Sequence, residues 1–209
     1  MLFLSTLFFS LFVTIALIPL SSRLALRFNS GLDLPGERKV HTQPIPRSGG
    51  IAMALGTLAG MLGWAEFDRS LTAYALGAGV IVLFGVMDDF KGLGAATKFV
   101  GQIAAALIVI LYGNIRIHNL GMLLPDGVTL PWWIVVPLTL LVIVGVTNAI
   151  NLADGLDGLA GGICLMALGC VGYLAHLGGD ATIALLSTAL CGSIFGFLRF
   201  NTHPATLFM

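Results

Sequence analysis

Charge is scarce in this sequence. Only 10% of its 209 residues are Asp, Glu, Lys or Arg, against roughly 25% in an average soluble domain. Ten basic and ten acidic residues cancel, so whole-molecule charge gives no reason to expect a nucleic-acid partner. Cysteine is also sparse. Cys164, Cys170 and Cys191 lie in apolar runs without CxxC spacing, which indicates neither a disulfide framework nor a zinc site and leaves them as small packing residues. The interiors of the long apolar runs contain no Asp, Glu, Lys or Arg. A transporter would be expected to carry ionisable residues or broken helices near mid-membrane, so that class fits poorly.

What is abundant is hydrocarbon, at 57% of residues. Stretches close to the roughly 20 residues needed to cross a bilayer occur near Leu2 to Ser22, Gly49 to Ala65, Leu71 to Met87, Phe99 to Gly113, Pro131 to Thr147, Leu159 to Leu177 and Ala181 to Leu198. The expected fold is therefore all-α: a polytopic transmembrane helical bundle of about seven spans, with residues 1–209 forming a single integral membrane domain. The first stretch has no basic n-region and no clear small-residue cleavage site, and its positive charges follow it, so it reads as a span and not as a signal peptide.

Seven crossings sort the connecting segments into two sets. Arg23, Arg27, Arg38, Lys39, Arg47, Lys91, Lys98 and Arg199 fall in one; only Arg69 and Arg116 fall in the other. The positive-inside rule then puts the N-terminus outside and the C-terminus in the cytoplasm. The same sorting gathers the polar motifs on the cytoplasmic face: DLPGERKVHTQPIPRSGG (Asp33 to Gly50), DDFKGLGAATK (Asp88 to Lys98), NAINLADGLDG (Asn148 to Gly158) and RFNTHPATLFM (Arg199 to Met209). Asn114 to Leu130, on the other side, reads as a small hairpin around Pro125-Asp126-Gly127.

Each motif has a plain reading and a chemical one. Asp88 and Asp89 are adjacent carboxylates at a low-dielectric boundary, where they repel unless a cation or shared proton compensates; the plain alternative is a solvated turn that stops a helix. Asn151, Asp154 and Asp157 recur every three residues, and on an α-helix that spacing drifts across roughly 120° of surface, so that they converge on one ligand. Oxygen-only side chains suit a hard cation such as Mg²⁺, with phosphate and water completing its shell. The plain alternative there is Asp capping of the sixth span, which accounts for Asp157 better than for the two Asn and two Asp together. Arg38, Lys39, His41 and Arg47 stand among Pro35, Pro44 and Pro46, which restrict the backbone; ordinary positive-inside charge is the simpler account. Lys98, with Thr97, opens the fourth span, where a cation and helix N-terminal amides can face phosphate oxygens. His118, His176 and His203 are isolated. Taken together, acids, amides and bases at one membrane edge describe phosphoryl transfer to or from a lipid-anchored substrate.

With these motifs in this order, the chain resembles the polyprenyl-phosphate N-acetylhexosamine-1-phosphate transferases, the membrane transferases that start O-antigen, enterobacterial common antigen and teichoic-acid linkage synthesis. The resemblance implies Mg²⁺-dependent reaction (Mn²⁺ as the alternative ion) of a UDP-N-acetylhexosamine with undecaprenyl phosphate in the bacterial inner membrane, with the site facing the cytoplasm, membrane lipid around it and room for a homodimer. It implies catalytic roles for Asp88 and Asp89, a metal-ligand role for Asn151, and substrate contacts for Lys39, His41, Lys98, Asp154 and Asp157. RKVH and the paired prolines favour the N-acetylhexosamine branch, with N-acetylglucosamine first among sugars, over the phospho-muramoyl-pentapeptide branch. In the family, a sequence like PATLFM leads into Gly-Asp-x-Gly-Ser and a later His-rich loop, so the 209 residues resemble roughly the N-terminal two-thirds of a member. The chain alone is expected to bind Mg²⁺ poorly and turn over little. The competing reading is a non-catalytic membrane fragment or scaffold. A CDP-alcohol phosphotransferase signature fits poorly, because no Arg follows Asp154-Gly155 before Arg199.

The orientation is testable directly. A cysteine introduced at Gly36 should react with an impermeant maleimide only from the cytoplasmic side; labelling from outside would reverse the topology.

Overall fold

The computed structural model describes residues 1–28, 31–33, 44–123, 125 and 127–208. Seven α-helices account for most of them: α1 (Leu2–Phe28), α2 (Gly49–Trp64), α3 (Arg69–Lys91), α4 (Ala95–Leu107), α5 (Trp132–Ala153), α6 (Leu159–Leu177) and α7 (Ala181–Asn201). A π-helical turn at Ile108–Tyr112 prolongs α4. Two short strands, β1 (Leu32–Asp33) and β2 (Ile45–Pro46), pair antiparallel with Leu32 opposite Pro46. The protein is thus an all-α polytopic membrane protein, with a minimal hairpin that hydropathy does not reveal. Six helices are long and apolar enough to cross a bilayer, counting α4 with its π turn as one. α2 has 16 residues, about 24 Å of helix, and is shorter than a roughly 30 Å hydrocarbon core.

The described residues form two compact units. The first comprises residues 1–66, 85–92 and 152–209; the second, residues 67–84 and 93–151.

In the first unit α1 packs on α2 and α7, which also meet each other, and α6 packs on α7. Lipid tails are as apolar as leucine, so helices in a bilayer associate through close van der Waals contact and small residues. That is how α1 is seated. Thr6, Ser10 and Thr14 recur every four residues and are fully buried, with Thr6 and Thr14 hydroxyls donating to the preceding turn's carbonyls. Facing them are Gly56 and Gly60 of α2 and Gly192 and Gly196 of α7, each pair spaced as GxxxG. A Cβ on Gly56 would collide with Thr14 Oγ1, on Gly60 with Ser10 Oγ, and on Gly192 with the Leu7 carbonyl; on Gly196 it would lie 3.0 Å from the Leu11 carbonyl oxygen. Thr57 and Ser193 share a buried 2.8 Å hydroxyl hydrogen bond between α2 and α7. Toward the polar end the contact closes on Ile18, Ala52, Phe197 and Leu207.

In the second unit α3 and α4 meet through Gly77 and Gly101, where a Cβ would lie 3.1 Å from a Val109 methyl and 2.6 Å from the Phe84 ring respectively. α5 is different. Only Val135 and Thr139 along it are buried.

Substituting Gly192→Val should lower stability in detergent by about 1–3 kcal/mol, the usual cost of overpacking, because the obstruction is backbone. Thermal unfolding should show this loss, while Gly162→Ala, where nothing lies within 4 Å, should leave the transition unchanged.

Candidate active site

α3 continues through Lys91, so Asp88 and Asp89 occupy its last turn and are half-buried. Their carboxylates therefore sit at the negative end of a helix dipole, an arrangement unfavourable by roughly 0.3–1 kcal/mol per charge. Gly31, in the left-handed region at φ +62°, lies beside them: a Cβ there would be 3.6 Å from Asp89 Cβ. The base of the first loop thus reaches the carboxylate pair. Next to it Arg47 pairs with the buried carboxylate of Asp33, and the Arg47 N–H donates to the Gly31 carbonyl at 2.7 Å. Arg47 anchors the hairpin. Lys39 and His41 lie outside the described residues.

α5 ends at Ala153, so the helical-face argument holds for Asn148 and Asn151 but stops there. Asp154 and Asp157 belong to a turn, closed by Gly158 at φ +76°. A side chain would be strained at that angle, so glycine suits the position where the turn enters α6. Gly158 is the N-cap of α6 and no side chain caps that helix, so Asp157 is not the cap that sequence suggested. Its Oδ2 instead accepts the Ala205 N–H at 3.1 Å and lies 3.0 Å from His203 Nδ1. His203, isolated in sequence, is a partner of the turn. Asp154 remains exposed at the surface, yet the protein around it pushes its carboxyl pKa above the ordinary 3.8 by desolvation. A nearby cation would oppose that shift.

Asn201, the last residue of α7, holds these pieces together. It is 3% exposed; its Oδ1 accepts the Gly158 N–H at 3.0 Å and its Nδ2 donates to the Leu207 carbonyl at 2.9 Å. Phe208 then pairs with the hairpin: its N–H donates to the Pro46 carbonyl at 2.9 Å, and its carbonyl accepts the Gly49 N–H at 3.0 Å. A continuous chain of contacts in the first unit therefore runs from Asp89 through Gly31, Arg47, Pro46, Phe208, Leu207 and Asn201 to Gly158 and Asp157. Sequence reasoning singled out RFNTHPATLFM but not Asn201 within it. The available signal was an amide ending an apolar helix, which needs partners.

In the second unit Lys98 lies exposed in the first turn of α4 and Asn151 exposed in the last turn of α5. Lys98 sits at the positive end of its helix dipole, which together with the lysine favours an anion there. Among the described residues no three His, Cys, Asp or Glu side chains gather as a metal cage.

Residues 71–209 match the model of glycosyl transferase family 4. The chain belongs to that family. It is 37% identical to a Bacillus subtilis (strain 168) "probable undecaprenyl-phosphate N-acetylglucosaminyl 1-phosphate transferase", over 96% of this chain and 56% of the relative. A decaprenyl-phosphate N-acetylglucosaminephosphotransferase of Mycolicibacterium smegmatis is 36% identical over 89% of the chain and 50% of the relative. A phospho-N-acetylmuramoyl-pentapeptide-transferase of Halalkalibacterium halodurans is 32% identical over 98% and 68% respectively. The chain spans about half the length of the first two. Relatives named for transfer of N-acetylglucosamine phosphate to a polyprenyl phosphate and one named for transfer of phospho-N-acetylmuramoyl-pentapeptide thus both match it.

Replacing Asn201 with Ala should leave the Gly158 N–H and Leu207 carbonyl without their partner, costing about 1–3 kcal/mol. Hydrogen exchange should show faster exchange of the Gly158 amide, with the amides of mid-α1 unaffected; uniform protection would remove Asn201 from this role.

Proposed function

We propose that these residues form part of a transferase that moves N-acetylhexosamine 1-phosphate, with N-acetylglucosamine the favoured sugar, from a UDP-sugar to undecaprenyl phosphate at the cytoplasmic face of a bacterial inner membrane. In that reaction an oxygen of the lipid phosphate bonds to the β-phosphorus of the UDP-sugar. The bond from that phosphorus to the bridging oxygen breaks, and UMP leaves. The product starts a cell-envelope polysaccharide. The observation that supports the reading is the contact chain linking Asp89 to Asp157, because it joins residues of all four sequence motifs within the first unit.

The roles assigned to the side chains are those the family resemblance implies. Asp88 or Asp89, in the last turn of α3, would deprotonate or position the lipid phosphate for attack. Lys98 and the α4 N-terminus take phosphate oxygens. Asp154 and Asp157 line the nucleotide side, Asp157 fixed by Ala205 and His203, and Lys39 and His41 assist from the first loop. The side-chain oxygen of Asn151 fits a hard cation, and Asn151 would be a ligand of Mg²⁺, or Mn²⁺ in its place. Held there, such an ion would supply positive charge against the transferring phosphoryl group. RKVH between the prolines favours the N-acetylhexosamine branch over the muramoyl-pentapeptide branch.

The test is a chimaera in which residues 1–209 replace the matching part of the Bacillus subtilis relative. Its membranes should transfer labelled sugar phosphate from UDP-N-acetylglucosamine to undecaprenyl phosphate with release of UMP, and Asp89→Asn should abolish turnover without loss of folded protein. The 209-residue chain alone should transfer little. A chimaera that folds but releases no UMP would favour a scaffold instead.

A further inference from the structure

α5 is the least anchored helix of the second unit. In its most apolar stretch 11% of residues are buried, against 28% for α4 with its π turn. Beside it lies a cavity of about 160 Å³ bordered by Gln102, Ala105, Ile143 and Thr147, so close packing does not fix α5 against α4 at this level. Polar contacts join the two segments. Ile117, beyond the π turn, donates its N–H to Thr139 Oγ1 at 3.0 Å. Gln102 Oε1 accepts from Asn148 Nδ2 at 2.7 Å, and the same nitrogen donates to the Val144 carbonyl at 2.8 Å.

These two contacts orient the helices. The chain after α4 meets α5 near its start, while Gln102, early in α4, meets it near its end, so the helices run antiparallel. Lys98, one turn before Gln102, and Asn151, three residues after Asn148, therefore lie at the same end. An amide in an apolar helix is costly unless its hydrogens are taken. Both hydrogens of the Asn148 amide are used; the bond to Val144 lies within α5 and moves with it, whereas sliding or rotating α5 by one residue would break the bond to Gln102. A single buried amide specifying helix register is a well-attested device.

We infer that Gln102 and Asn148 are a positioning pair that fixes the register of α5 against α4 and so sets Asn151 relative to Lys98. The consequence for catalysis rests on the transferase reading; the register does not.

The test separates the two. In a protein with Cys164, Cys170 and Cys191 replaced by alanine, spin labels at Val100 and Val146, both exposed, report the α4–α5 distance in lipid nanodiscs. The distribution should be narrow in the parent and at least twofold broader in Asn148→Leu and Gln102→Leu. It should narrow again in the exchanged pair Gln102→Asn with Asn148→Gln. If the leucine variants fail to fold, Asn148→Ser gives the same reading. Unchanged width in folded variants would overturn the proposal. In the chimaera, Asn148→Leu should lower kcat about tenfold while the KM for UDP-sugar stays within twofold; unaltered kcat despite a broadened distance would overturn the positioning role. A parent chimaera without transfer would instead fail the transferase reading and leave the register result standing.

Discussion

The first unit depends on how closely α1 can approach α2 and α7. Inside a bilayer there is no water to expel from between two helices, so their adhesion comes from contact at short range. Ser10 and Thr14 fill the space left by Gly56, Gly60 and Gly196, and the backbone at Leu7 fills that left by Gly192. One added methyl on Gly192 meets a carbonyl that belongs to a rigid helix. Because α7 carries Asn201 at its end, and Asn201 holds the acidic turn, the geometry of the polar face is inherited from this seam. The short α2 extends the same argument: it joins the seam although it is the shortest of the helices in the first unit.

Electrostatics at the ends of the helices run against what the backbone alone would favour. Asp88 and Asp89 stand at a helix C-terminus and Lys98 at an N-terminus, each where the dipole repels its charge. Solvated caps would have the opposite signs.

The helices were legible because their signal is one of length and hydropathy, and every expected apolar stretch from Leu2 to Leu198 corresponds to a helix, although α1, α3 and α5 run on past the apolar ends to Phe28, Lys91 and Ala153, so that α3 captures Asp88 and Asp89. Hydropathy ends where polarity begins, whereas the helix ends at Gly92, at φ +63°. The helical reading of Asn151, Asp154 and Asp157 failed halfway for the same reason: Gly155 and Gly158 permit a turn that a period of three does not announce. The GxxxG seam was written in the sequence as 56–60 and 192–196 but is silent about which helix it faces. Least legible were Asn201, Gln102 and Asn148 as pairs, since an amide's partner 43 or 46 positions away leaves no mark on local pattern.

Asn201 also imposes an order in time. The turn bearing Asp154 and Asp157 emerges from the ribosome well before the amide that receives the Gly158 N–H, which comes 43 residues later, and Asn201 itself is held by the Leu207 carbonyl further on. Until that last segment has been synthesised and α7 has joined the seam, the acidic turn lacks its final support. A nascent chain halted before Leu207 would have its spans in the membrane and its carboxylates unarranged.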